Sequence, residues 1–137
     1  MTVGYSGRPL VAKLGIKDGF RIAVLSAPEN YWGLLGSLPS GVEKSESMRG
    51  AAFDLIHLFV RGSADLNRRL ASCRRKIVSN GMIWVSWPKK TSGVKTDLDG
   101  NRVRHSILKS GLVDIKVCAV DETWLGLKAV IPVKDRK

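Results

Sequence analysis

Three nearly continuous apolar runs, RIAVLSA (21–27), FDLIHLFV (53–60) and MIWVSW (82–87), constrain this chain more than any other feature. A strand with water on one side alternates apolar and polar residues. These runs do not, so both faces of each strand must be covered. Helical patterns stand between them. ENYWGLLGSL (29–38) carries Tyr31, Leu34, Leu35 and Leu38 at helical spacing, although Gly33 and Gly36 weaken it. SADLNRRLASCRRKIVSNG (63–81) puts Leu66, Leu70, Cys73 and Ile77 on one face, with Asp65 in the first turn, Arg74, Arg75 and Lys76 near the end, and Gly81 beyond. A third helix is predicted at about 97–110, on Val103, Ile107 and Leu108.

LVDIKVCAVDE (112–122) and LGLKAVIPV (125–133) are strands too close in sequence to pair other than antiparallel. Ahead of the first strand, SGRPLVAKLGI predicts a short helix over a sheet edge, with Ser6 or Gly7 as cap and Pro9 in the first turn. SGVEKSESMRG (40–50) reads as a flexible loop within the domain. The sum is an α/β, Rossmann-like three-layer sandwich: a mostly parallel five-stranded sheet, an antiparallel last strand, and helices on both faces. At 137 residues the chain is expected to be one domain, 1–137, with enough core to need no staple.

Charge and cysteine content narrow the partners. Cys73 and Cys118 lack any metal-ligand or C-x-x-C spacing and read as buried, reduced thiols, and no metal is expected. Met1–Gly7 does not resemble a signal peptide and no apolar run approaches a membrane span, so a cytoplasmic protein is expected. The net charge is +11, and residues 61–109 alone hold 12 basic and 3 acidic side chains. Such asymmetry suits an anionic small molecule or nucleic acid, or else a solubilising face.

In open parallel sheets, ligands gather beyond the carboxyl ends of the strands. Candidate binding residues are therefore those predicted at that rim: Arg61, Lys89, Lys90, Ser92, Thr96, Asp97, Asp121, Glu122 and Trp124. Pro88 ends the third strand and leaves Lys89 and Lys90 at the rim, while Thr96 or Asp97 is expected to cap the next helix in a loose Thr96-x-x-Asp99 box. Lysines beside helix N-terminal amides suit phosphate or carboxylate. Asp121 and Glu122 are expected to pair with Lys89 or Lys90 rather than to act as acid and base. His57 reads as a hydrogen-bonded core residue with no nucleophile beside it in sequence, and His105 as exposed. Trp84 should be core, while Trp87 and Trp124 either wall a pocket or plug the sheet top.

No G-x-G-x-x-G follows the first strand, no acidic residue closes a second strand about 20 residues on, and no Walker loop is present. No cofactor is expected on that ground.

GYSGRPLVAKLGI, FDLIHLFV, WVSWPKKTSGVKTDL and GLVDIKVCAVDETWLGLKAV resemble, over nearly the whole chain, a bacterial domain family of unknown function. That resemblance implies the fold and no activity. The element order from residue 53 onward is also similar to the C-terminal half of class I methyltransferases, which implies a shortened relative without the cofactor half. The leading functional reading is a non-enzymatic binding or regulatory module whose basic rim takes an anion or nucleic acid. The alternatives are a small transferase on an anionic substrate, anchored by Lys89 or Lys90 with Asp121 or Glu122 handling a proton, and a homodimer joined by a sheet edge or exposed aromatics.

Overall fold

A computed structural model describes residues 9–50 and 52–136. The strands are β1 (Arg21–Leu25), β2 (Glu43–Ser45), β3 (Phe53–Phe59), β4 (Ile77–Pro88), β5 (Val113–Ala119) and β6 (Trp124–Val130), and the helices are α1 (Leu10–Leu14), α2 (Tyr31–Leu35), α3 (Ser63–Arg74) and α4 (Gly100–Lys109). They form one sheet in the order β2-β1-β3-β4-β6-β5. β1, β2, β3 and β4 are mutually parallel, β6 runs antiparallel to β4, and β5 antiparallel to β6.

The continuous apolar runs are covered on both sides, as their pattern requires. On one face Leu66, Leu70 and Cys73 of α3 and Val103 and Ile107 of α4 pack on Ile56, Leu58, Ile83, Val85 and Trp87. On the other, Leu14, Tyr31 and Leu35 pack on Val24, Leu55, Phe59, Trp84 and Trp124. Trimming a fully buried leucine such as Leu66 or Leu70 to alanine removes contacts worth about 2–5 kcal/mol.

Four expectations change in detail. The sheet has six strands, not five, because residues 43–45 of the presumed loop add a parallel edge strand to β1. The long helix ends at Arg74, and the chain turns at once into β4: the Phe53 amide donates to Lys76 O at 2.7 Å, and Ile77 pairs with Phe53. Ile77 thus fills its core position from a strand. Gly81 is not a helix cap but part of the irregularity between Phe53 and Leu55 pairing, where a Cβ would stand 3.0 Å from Val78 O and 3.1 Å from Asp54 O.

The N-terminal helix starts at Leu10 behind Pro9, and the expected caps Ser6 and Gly7 lie outside the described residues. It covers the middle of the sheet rather than an edge, since Trp84 Nε1 on β4 donates to Leu14 O at 2.9 Å. Among the described residues no helix is long and apolar enough to cross a membrane.

Candidate functional site

After β1 the chain crosses to β2 on one side, and after β2 it crosses back to β3 on the other. Such a reversal opens a crevice beyond the carboxyl ends of β1 and β3, the usual ligand position in this architecture. Two adjoining cavities occupy it. One of about 390 Å³ is lined by Ser26, Ala27, Glu29, Tyr31, Trp32 and Glu46, among others. The second, about 270 Å³, includes Ser26, Phe59, Arg61, Asp65 and Trp124.

Ser26 belongs to both. Its φ of 59° makes it the only left-handed non-glycine among the described residues. A conformation that L-residues avoid, held where β1 delivers the chain to the crevice, is the kind of local strain found at ligand sites. Arg69 on α3 holds the serine there, donating to Ser26 Oγ at 2.9 Å, and Arg69 is itself braced by Asp65 at 3.6 Å.

The outer wall is aromatic. Trp124 is 5 % exposed, meets Phe59 edge-on at 5.1 Å, and lies under the Arg61 guanidinium at 5.8 Å. Trp124 is therefore a cavity wall, whereas Trp87 is core on the opposite face. Trp32 takes the Lys44 ammonium over its ring at 4.9 Å.

Behind the cavity Tyr31 Oη meets His57 Nδ1 at 2.8 Å, and His57 Nε2 meets Ser86 Oγ at 2.7 Å. Burial lowers the His57 pKa from 6.5 to about 3, so the imidazole is neutral and donates from one nitrogen only. The same cause pushes the Tyr31 phenol above its ordinary range. The serine beside His57 comes from β4 and was invisible in the local sequence. Both side chains are fully buried, so the pair is a core connector and not a nucleophile with its base.

The rim residues do meet, in roles other than those expected. The Lys89 amide donates to Thr123 O at 2.7 Å, so the lysine pair and the Asp121–Glu122 turn stand side by side. No ion pair joins them among the described residues. Asp121 Oδ1 instead accepts from the Thr123 and Trp124 amides, both at 2.8 Å, and folds the β5–β6 turn; Glu122 is exposed. Ser92 serves its own loop, donating to Lys89 O and accepting from the Val94 amide.

The capping assignment also changes. Asp99 caps α4 by accepting from the Arg102 amide at 2.8 Å. Asp97 reaches instead to the start of α3, where its two oxygens accept from the Ser63 amide and hydroxyl, and these bonds hold its carboxyl below the usual range. Thr96 donates to Arg61 O at 2.6 Å and fixes the end of the crevice. Both helix N-termini are thus capped by the protein's own carboxylates.

The acidic residue expected to be missing after a second strand is supplied by β2, an edge strand with no apolar signal. With β2 in place, Glu46 directly follows it and lines the larger cavity, about 20 residues beyond β1 as dinucleotide and nucleoside sites place their acid. The first half of the fold is therefore present in miniature rather than absent. A glycine-rich loop is not there: Ser26 supplies the left-handed turn, and Pro28 contributes no amide. Among the described residues no group of His, Cys, Asp and Glu is arranged to hold a metal ion.

No protein-family model and no curated protein matches the chain. Solved structures do. A DhpI–SAH complex is 12% identical with a TM-score of 0.60, covering 90% of this chain and 81% of that one. A SAM-dependent methyltransferase from Aquifex aeolicus gives 11%, 0.57, 88% and 86%. Magnesium protoporphyrin IX methyltransferase from Synechocystis PCC 6803 with bound SAH gives 10%, 0.54, 89% and 78%. At these identities the shared property is the fold. The leading reading of a non-enzymatic binding module is corrected on that ground, because solved structures sharing the fold are named as methyltransferases and fit the transferase alternative better.

Proposed function

We propose that this chain is a small methyltransferase whose crevice beyond β1 and β3 takes S-adenosylmethionine. The carrying observation is that Ser26, in a left-handed turn, and Glu46, directly after β2, line one cavity at the point where strand order reverses. Solved structures of the same fold carry SAH or SAM, which supports this choice of ligand.

The donor set fits the cofactor's parts. Glu46 is placed to accept from ribose hydroxyls, and Trp32 offers a ring face to a base. Arg69, which donates to Ser26 Oγ, is the cation available at the Ser26 end for the cofactor's carboxylate. When bound, the cofactor supplies an electrophilic methyl group. The protein's own part is to orient it, to exclude water with Trp124 and Phe59, and to hold an anionic acceptor by Arg61 rather than by Lys89 or Lys90.

A thermal-shift series with SAM, SAH and adenosine tests this reading. A ligand at 100 times its Kd stabilises the native state by about 2.7 kcal/mol, so SAH should raise Tm by several degrees and Ser26→Val should abolish the rise. No shift with millimolar SAH refutes the assignment.

A further inference from the structure

We infer that the groove between α3 and α4, on the face of the molecule away from α1 and α2, binds the phosphodiester backbone of a nucleic acid. The inference is independent of the cofactor assignment, and it gives a place to the basic segment that the crevice leaves unused. Two cavities of about 420 and 400 Å³ share Asn67 and Ser106 and so form one continuous groove. Arg74, Arg75 and Lys109 line one end and Arg102 and His105 the other, and no carboxylate lines either.

The acids of this region are engaged elsewhere. Asp65 pairs with Arg68 and Arg69, Asp114 with Arg104, Asp97 serves Ser63, and Asp99 caps α4. Among the described residues Arg74, Arg75, Arg102 and Lys109 form no ion pair. Arg74 is also short of acceptors: its Nε is buried without one, and its guanidinium packs against Gly111, where a Cβ would come within 3.6 Å of it. The buried Nε itself is out of reach of an outside ligand, so it is the terminal nitrogens of Arg74 at the groove that are offered to phosphate oxygens.

Helix electrostatics do not explain the pattern. Arg74 and Lys109 stand in last turns, where a cation is favoured, but Arg102 stands in the first turn of α4, where it is not. An external anion stabilises all four at once. From Arg102 to Lys109 the groove extends roughly 10 Å along the helix, a span of about three phosphates on one strand of a duplex. Asn67, which lines both cavities, supplies an uncharged hydrogen-bonding group between the two charged ends.

Fluorescence anisotropy with a labelled 20-nucleotide single strand and the matching duplex, over a salt series, is the test. Binding should weaken linearly in log salt. Arg75→Glu with Lys109→Glu, both exposed positions, should lower affinity at least about tenfold and reduce the salt slope by about 1.5–2. Arg102→Glu at the far end should weaken it separately. Lys17→Glu with Lys116→Glu, both exposed beside Lys128 on the α1 side of the sheet, makes the same change in net charge away from the groove and should alter affinity less than about threefold. Absence of binding at low salt, or equal losses in the two double variants, overturns the proposal. Displacement of the oligonucleotide by an equimolar amount of inorganic pyrophosphate also overturns it, in favour of a small-anion site.

Discussion

His57 Nε2 and Ser86 Oγ lie 2.7 Å apart in the closed core, reaching each other from neighbouring strands. Tyr31 satisfies the other ring nitrogen, so three buried polar side chains account for one another without leaving the core. Tyr31 also lines the larger crevice cavity, which makes this connector the link between the middle of the sheet and the ligand site.

Acid should destabilise the protein through His57. Its pKa is about 3 when folded and near 6.5 when unfolded, so between these values the unfolded state binds the extra proton. Stability from this residue is complete above pH 6.5 and falls with pH toward 3, by up to about 1.4 kcal/mol per pH unit. Urea melts at pH 7 and pH 5 should show this loss in the wild type and a clearly smaller one in His57→Gln.

Removing either partner strands a buried group. Ser86→Ala and Tyr31→Phe should each cost about 1–3 kcal/mol in urea unfolding. Gly126→Ala attacks the same point by crowding, since a Cβ there would stand 3.1 Å from Ser86 Oγ and 3.2 Å from the Trp84 ring. It should cost a comparable amount, about 1–3 kcal/mol.

The strain at Ser26 predicts opposite effects for two substitutions. Ser26→Gly relieves a left-handed residue worth roughly 1–2 kcal/mol and should leave stability equal or higher, even without the Arg69 bond. Ser26→Val adds a β-branched side chain at the same φ and should lower the urea midpoint.

Asp97→Ala should lower Tm by unbinding the start of α3, and Asp97→Asn, which keeps one acceptor, should lower it less. Thr96→Val, by contrast, should release the Arg61 carbonyl and weaken ligand binding more than it lowers Tm.

The architecture was legible wherever an apolar pattern had one interpretation. The runs at 21–25, 53–59 and 82–87 are nearly continuous, and burial on both faces leaves a parallel, helix-covered sheet as the solution. Ile77 fitted both a helical face and a strand, and only its pairing with Phe53 decides between them. Glu43–Ser45 carries no apolar signal because this edge strand is largely exposed; missing it concealed Glu46 as well. Asp97 and Asp99 are equivalent caps by residue type. Which amides each one meets depends on α3, some 34 residues away in sequence. The Ser86–His57 bond, 29 residues apart, is set by strand register, which single-sequence patterns do not carry.

The most direct measurement is isothermal titration calorimetry of SAH against the wild type and Glu46→Ala. A cofactor held by its ribose at the end of β2 predicts saturable heat in the wild type and a Kd at least tenfold higher in the variant, about 1.4 kcal/mol. Heat that never appears up to millimolar SAH, or one Kd shared by both proteins, contradicts it.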